Sequence, residues 1–271
     1  MISRRNVLSG LAASTAAACS SSRVPTSAPY QYPIAPPPPD RASLGLDAVI
    51  DISRSVTVTS FREVRQSNIL GVIHKATEGG DHADPACAAR RPQAEAAGLL
   101  WGTYHFGTGQ YSGAQQAALF LSVSRPGPKT LLALDLEAND NNPSNSMRLD
   151  QAEDFVRAVA EAMGRLPVVY VHPTWANGDP LPGSGLSFGA RITPDSILAR
   201  CGLWVADYHD STEIPLAWAA KGWRLWQYAG DESASRPAYG QTSIVQGVSH
   251  CDRNLFNGDA TGLDRFWIAA D

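Results

Sequence analysis

From residue 44 onward, short apolar runs alternate with segments of helical periodicity. Most runs are rich in Val, Ile, Leu and aromatic residues and are bounded by Gly, Pro, Asn or Asp, which predicts β-strands. The predicted strands cover residues 46–52, 69–76, 99–106, 130–136, 166–171, 203–208, 224–228 and 252–256. Apolar residues at helical spacing predict helices over residues 85–97, 113–123 and 150–163.

The order of these elements indicates the fold class. Alternating strands and helices favour parallel strands joined by right-handed crossovers. A domain of about eight such strands predicts an α/β fold, a TIM-like (β/α) barrel, over residues 44–271. Residues 177–193 are rich in Gly and Pro and predict a long loop in place of a full helix, so we expect the barrel to be irregular.

The N-terminal segment has a different composition. Arg4 and Arg5 precede an Ala-rich apolar run that ends at Cys19, which predicts an export signal of the twin-arginine type over residues 1–19. The run is too short and too weakly apolar for a membrane span. Residues 20–43 are rich in Pro and Ser and predict an extended linker. We therefore expect an exported protein of the periplasm or cell envelope, with lipidation of Cys19 as an open alternative.

Composition and cysteine spacing exclude several classes of function. The chain has 271 residues, is 44% hydrophobic and 18% charged, and carries a formal net charge of −4, so nothing indicates a basic surface for nucleic acid. The spacing of Cys87, Cys201 and Cys251 matches no zinc site, and no metal or cofactor is expected. A Cys201–Cys251 disulfide and buried free thiols are both compatible with the sequence. We expect a monomer.

One predicted strand ends in two carboxylates. Residues 131–137 read Leu-Leu-Ala-Leu-Asp-Leu-Glu, so Asp135 and Glu137 project from the same side with Cα atoms about 6.5 Å apart. In parallel barrels the C-terminal ends of strands carry the catalytic groups. Two close carboxylates cannot both ionise easily, and a raised pKa on one of them suits glycosidic cleavage. A metal site and a solvated strand end are the alternatives.

Further polar and aromatic residues end other strands. Asp51 ends the first strand and Asp252 begins the last, and these strands are neighbours in a closed barrel. Four acids at one rim would strengthen one another as a site. Aromatic side chains end several strands and suit stacking on sugar rings, although we expect about half of them in the core. They include Tyr104, Tyr170, Trp204, Tyr208, Trp226 and Tyr228.

Seven short motifs resemble, in this order, those of glycoside hydrolase family 25, the muramidase-type lysozymes. The resemblance spans residues 46–256. The motifs are Asp51-Ile52-Ser53, Lys75-Ala76-Thr77-Glu78-Gly79, Gly102-Thr103-Tyr104-His105-Phe106, Asp135-Leu136-Glu137, Leu203-Trp204-Val205-Ala206-Asp207-Tyr208, Trp226-Gln227-Tyr228 and Asp252-Arg253-Asn254-Leu255-Phe256.

The resemblance implies a flattened barrel with fewer helices than strands and cleavage of the β-1,4 bond between N-acetylmuramic acid and N-acetylglucosamine in peptidoglycan. It implies that Glu137 is the general acid. Asp135 would orient the 2-acetamido group of the substrate or stabilise positive charge, and Asp51 and Asp252 would complete an acidic rim. The residues implied to line the sugar groove are Tyr104, Trp204, Tyr208, Trp226 and Gln227.

The chain departs from the family pattern at three places. Residues 54–57 contain neither the Gln nor the Trp that usually follows the first Asp-x-Ser. His74 stands where an apolar residue is more usual, and Cys251 precedes Asp252. Two other functions therefore remain open: a hydrolase of another amino-sugar polymer such as chitin, and a non-catalytic cell-wall-binding lipoprotein.

Overall fold

The computed structural model describes residues 44–181, 183–230 and 244–270. The predicted export signal, Cys19 and the linker of residues 20–43 lie outside the described residues.

The described residues form nine strands and seven α-helices. The strands are β1 (Leu46–Ile52), β2 (Gly71–Glu78), β3 (His82–Ala83), β4 (Leu100–Phe106), β5 (Leu131–Asp135), β6 (Val168–Val171), β7 (Leu203–Ala206), β8 (Leu225–Ala229) and β9 (Asp252–Phe256). The helices are α1 (Phe61–Gln66), α2 (Cys87–Ala96), α3 (Gly113–Ser124), α4 (Leu149–Met163), α5 (Pro173–Ala176), α6 (Ile197–Arg200) and α7 (Ala260–Ala269).

Eight of the strands close into a barrel. Strand β1 pairs with β2 on one side and with β9 on the other, and the sheet continues from β9 through β8, β7, β6, β5 and β4 back to β2. The short strand β3 lies outside the barrel, antiparallel to the end of β2. The predicted irregular α/β barrel with fewer helices than strands is confirmed.

The expectation of parallel strands is wrong for β9, which runs antiparallel to both β1 and β8. The reason is where the chain enters the strand. Residue 248 forms an antiparallel bridge with Val58, and Ser249 N donates to Thr57 O, so the chain reaches the barrel beside the loop that follows β1. Strand β9 therefore begins at the rim where β1 ends, and Asp252 joins that rim.

Helix α7 closes the opposite end of the barrel. Its buried Leu263, Phe266 and Trp267 belong to the same apolar cluster as the inward-facing residues of the strands. The ring of Trp267 lies so close to β2 that a Cβ on Gly71 would be 2.6 Å from it, which explains why that position has no side chain. The indole Nε1 donates to Trp101 O at 2.8 Å. Helix α7 therefore covers the end of the barrel that lies opposite the rim with the acids.

The helices that the periodicity predicts are present with small shifts at their ends. Capping residues fix where these helices begin and end. Helix α3 begins with a capping box between Ser112 and Gln115, and α4 ends at Gly164 with φ 68°. Helices α1, α5, α6 and α7 are short and were not predicted. Within the described residues, no helix combines the length and apolar character needed to span a bilayer.

Candidate active site

The four predicted acids meet at the C-terminal rim of the barrel. Asp135 is the last residue of β5, and Glu137 follows it by two positions. Asp51 on β1 lies directly opposite Asp252 on β9 in the antiparallel register. All four acids act electrostatically on the phenol of Tyr104. Burial is the largest cause of its raised pKa, and the negative charges of Asp135, Asp51, Asp252 and Glu137 each raise it further. The structure therefore places the acids around one space.

Asp135 is buried at this rim. It is 8% exposed, and its Oδ1 atom accepts no hydrogen bond from the described residues. Burial raises the pKa of Asp135 well above its usual range, the negative charge of Glu137 raises it further, and the positive charge of Lys75 opposes the shift. A buried acceptor oxygen without a donor is costly, so this atom has hydrogen-bonding capacity for a substrate donor.

Asp51 is equally buried but fully engaged. Gln227 Nε2 donates to its Oδ1 at 3.2 Å and to its Oδ2 at 3.0 Å, and Asn254 Nδ2 donates to Oδ2 at 2.8 Å. Burial raises the pKa of Asp51, while the hydrogen bonds that it forms with Asn254, Gln227 and Asp252 lower it. Asp51 is therefore held in a fixed orientation at the base of the site.

Strand alternation decides which predicted groove residues face the site. Gln227 points into the barrel, so Trp226 beside it points outward, where it packs in the outer apolar layer and its Nε1 donates to Asp207 O at 2.6 Å. The expectation that Trp226 lines the groove is therefore wrong. Trp204 faces inward, but it is 2% exposed and donates from Nε1 to Asn254 Oδ1 at 2.6 Å. It supports the site from below and does not offer a stacking face.

Two predicted aromatic residues remain accessible. Tyr208 follows β7, is 37% exposed, and donates to Gln227 Oε1 at 2.7 Å. Tyr104 on β4 is partly exposed among the acids. These two side chains are the described candidates for contact with a sugar ring.

One lysine accompanies the acids. Lys75 on β2 forms an ion pair with Glu78 at 2.7 Å, and its Nζ lies 5.0 Å from the centroid of the Phe106 ring. Phe106 is paired in register with Asp135 on the neighbouring strand. Lys75 therefore supplies positive charge next to Asp135, whose pKa it lowers.

Two of the departures from the family pattern meet in a second polar cluster. His74 is fully buried, donates from Nδ1 to Lys75 O at 2.7 Å, and accepts at Nε2 from Arg90 Nη1 at 3.0 Å. Arg90 also donates to Ser53 O and Val56 O. The loop that lacks the usual Gln and Trp is thus held from below by an arginine that His74 orients.

The structure also shows the state of the cysteines and the arrangement of potential metal ligands. Cys87 and Cys201 are buried free thiols, so the alternative of a Cys201–Cys251 disulfide is wrong. Cys201 is buried at the end of α6, whereas Cys251 is partly exposed before β9. No group of three or more His, Cys, Asp or Glu side chains in the described residues is arranged to hold a metal ion.

Sequence reasoning missed three residues of the site. Tyr170 donates to Gln227 Oε1 at 2.8 Å, and Asn254 donates to Asp51. In the sequence, Tyr170 lies at the end of a predicted strand and Asn254 lies in the last motif. Asn254 is two positions from Asp252 and so shares its face, which was a usable signal. Lys75 belongs to the second family motif, and its position in the sequence indicates no role.

Comparisons with known proteins agree with this geometry. Residues 50–236 match the profile of Glycosyl hydrolases family 25. The chain is 28% identical to Lysozyme M1 of Streptomyces globisporus over 229 residues, which cover 79% of this chain and 69% of that protein.

Solved structures of this kind also resemble it. A bacterial lysozyme from Streptomyces coelicolor is 27% identical with a TM-score of 0.67, and the match covers 84% of this chain and 99% of that one. A muramidase from Acremonium alcalophilum is 28% identical with a TM-score of 0.64, covering 81% of this chain and 97% of that one. With its profile match over most of the barrel and its rim of four acids, the chain belongs to glycosyl hydrolases family 25 and is a glycoside hydrolase of the muramidase type.

Proposed function

We propose that the protein hydrolyses the β-1,4 bond between N-acetylmuramic acid and N-acetylglucosamine in peptidoglycan, with Glu137 as general acid. The observation that carries the proposal is the buried Oδ1 atom of Asp135, which accepts no hydrogen bond from the described residues and lies two positions before Glu137. An acetamido N–H is a donor that would satisfy it. Both sugars of the polymer carry such a group.

The two carboxyl groups have different surroundings and so different roles. Asp135 is buried in the barrel mouth, whereas Glu137 lies beyond the strand end and is partly exposed. A carboxyl group that must reach a leaving oxygen needs access, and a carboxylate that orients a substrate amide needs a fixed position. Glu137 therefore donates its proton to the glycosidic oxygen while Asp135 holds the acetamido group.

Bond cleavage then follows from proton transfer. As Glu137 protonates the glycosidic oxygen, the bond from that oxygen to the anomeric carbon breaks and the carbon gains oxocarbenium character. Either the acetamido oxygen or a water molecule attacks this carbon. Attack by the acetamido oxygen, followed by water, retains the anomeric configuration, whereas direct attack by water inverts it. NMR of the first-formed anomer distinguishes the two.

The leader and linker fit this substrate. A twin-arginine export signal over residues 1–19 would deliver the chain to the compartment that contains peptidoglycan, and residues 20–43 would tether the barrel of residues 44–271. Lipidation at Cys19 would anchor it to the membrane. Mass spectrometry of the N-terminal peptide from cells tests this proposal, because cleavage before Cys19 with an added diacylglycerol has a defined mass.

Incubation of the full chain with purified peptidoglycan tests the reaction. Released fragments are reduced with borohydride and analysed by mass spectrometry. We expect reduced muramic acid ends, abolished by Glu137→Gln and unchanged by Glu161→Gln, the same substitution at an exposed position of α4. Reduced glucosamine ends would overturn the bond assignment. Release from chitin but not from peptidoglycan would identify another amino-sugar polymer as the substrate.

A further inference from the structure

The amide of Gln227 is engaged at both ends. It is 3% exposed, so it lies within the wall of the site and cannot offer the sugar a large surface. Its Oε1 accepts from Tyr170 at 2.8 Å and from Tyr208 at 2.7 Å. Its Nε2 donates to both oxygens of Asp51 and, at 3.3 Å, to Asp252 Oδ2.

Chemistry fixes the orientation of this amide. The two phenol hydroxyls can donate to Oε1, and carboxylates accept the amide protons. In the flipped orientation Oε1 would face Asp51 and Asp252, and an acceptor facing two carboxylates is unfavourable. The hydroxyls of Tyr170 and Tyr208 therefore decide that Gln227 presents donors to the acids.

A second amide reaches Asp51 from the neighbouring strand. Asn254 Nδ2 donates to Asp51 Oδ2 at 2.8 Å, and its Oδ1 accepts from Trp204 Nε1 at 2.6 Å. An indole N–H can only donate, so Trp204 fixes the orientation of Asn254 in the same way. Asp51 thus receives donors from β8 and β9, each oriented by aromatic donors behind it.

We infer that Gln227 and Asn254 are positioning residues, which, locked by Tyr170, Tyr208 and Trp204, hold the Asp51–Asp252 pair in one orientation and as a hydrogen-bond acceptor during the reaction. This role rests on the proposed function for its effect on turnover, but the hydrogen bonds that define it do not. It also reassigns Gln227 from the sugar groove to the support of the acids.

Several ionisable groups face Asp51, so its titration reflects the whole mouth of the barrel. They are Asp252 on β9, Asp135 on β5, Tyr104 on β4, Tyr170 on β6 and Tyr208 after β7. Glu137 after β5 and Lys75 on β2 act on Asp135 beside them. Among the causes that lower the pKa of Asp51, the bonds from Asn254 and Gln227 come first. Removing either amide should therefore raise the pH at which Asp51 loses its proton.

The test combines a titration with kinetics on the full chain. With ¹³C-labelled aspartate, the carboxyl resonance of Asp51 is assigned through Asp51→Asn and followed against pH by NMR. We expect Gln227→Met to move its midpoint upward by about one pH unit. We expect Tyr170→Phe to move it in the same direction by less, because Tyr208 still holds Oε1. The matched control is Tyr228→Phe, which removes a phenol that faces outward to Asp47 and should leave the titration unchanged.

Kinetics on soluble peptidoglycan fragments give the functional readout. For Gln227→Met we expect kcat to fall about tenfold or more with little change in KM, and the pH profile to move with the NMR midpoint. A raised KM at an unchanged kcat and an unmoved Asp51 titration would overturn the positioning role. If Gln227→Met does not fold, Tyr170→Phe decides by the same two measurements. If the wild type releases no fragments, the proposed function fails, while the NMR titration still decides whether Gln227 controls Asp51.

Discussion

Asp51 and Asp135 are comparably buried in the same barrel mouth, but Asp51 accepts three hydrogen bonds from amide groups whereas Asp135 Oδ1 accepts none from the described residues. The two carboxyl groups therefore differ in how much their ionisation lowers the free energy of unfolding. A buried charge without donors destabilises the folded state, and donors reduce this cost without cancelling it, since burial still raises the pKa of Asp51.

This difference predicts that a neutral substitution has different effects on stability at the two positions. Asp135→Asn should raise the free energy of unfolding at pH 7 by about 1–3 kcal/mol. Asp51→Asn should not, because the new NH2 group would face the donors of Gln227 and Asn254. The pKa of Asp135 is raised from 3.8 in the folded state, so the gain should be absent below about pH 3.8 and grow as the pH rises. Urea unfolding of both variants at several pH values checks this, and equal stabilisation by both would contradict it.

The buried histidines predict a loss of stability in acid. Burial lowers the pKa of His74 and of His105 from 6.5 to about 4. Because the unfolded chain binds protons first, the stability that each neutral histidine contributes is present above pH 6.5 and is lost as the pH falls towards 4, by up to about 3 kcal/mol each. The buried acids change in the opposite direction, so the measurement is the difference between wild type and variant.

Urea unfolding between pH 4 and 7 makes this comparison. His105→Gln should flatten the pH dependence of the free energy of unfolding relative to wild type, since its replacement does not titrate. His250→Gln, at an exposed position, is the matched control and should leave the dependence unchanged. A wild-type slope in His105→Gln would show that His105 does not titrate in this range.

Lys75 should set the pH dependence of catalysis. Its positive charge lowers the pKa of Asp135, so Lys75→Met should move the limb of the activity profile that reports Asp135 to higher pH by about one unit. The shift should shrink at high salt only slightly, because the pair lies in a partly buried mouth. Lys129→Met, an exposed lysine just before β5, is the control. An unmoved profile in Lys75→Met would remove Lys75 from the electrostatics of the site.

The thiols should differ in reactivity. Burial raises the pKa of Cys87 and of Cys201 to about 12, so only about one thiol in 10⁴ is ionised at pH 8. We expect iodoacetamide to modify Cys251 in the folded protein and to reach Cys87 and Cys201 only after denaturation. Mass spectrometry of digests, without reduction, gives the sites. Rapid labelling of Cys201, or a Cys201–Cys251 cross-link, would contradict the structure.

Local sequence predicted much of the barrel because strand periodicity and the positions of Gly and Pro are local properties. All eight barrel strands and all three predicted helices are present, with ends shifted by up to about two residues. Helix α7 is not predicted although Asp259 caps it, because its ten residues give only a weak helical periodicity.

The sequence by itself determined the strands, the spacing of Asp135 and Glu137, and the order of motifs that indicates the family. Only the tertiary structure decided that β9 is antiparallel, that Trp226 faces outward, and that the amide of Gln227 donates to Asp51 and Asp252. Spacing along a strand fixes which residues share a face, but it does not say which face is inside. That choice depends on closure of the barrel, which brings β1, β8 and β9 together. Closure also allows hydrogen bonds between residues far apart in the sequence, such as Asn254 and Asp51, which are 203 positions apart.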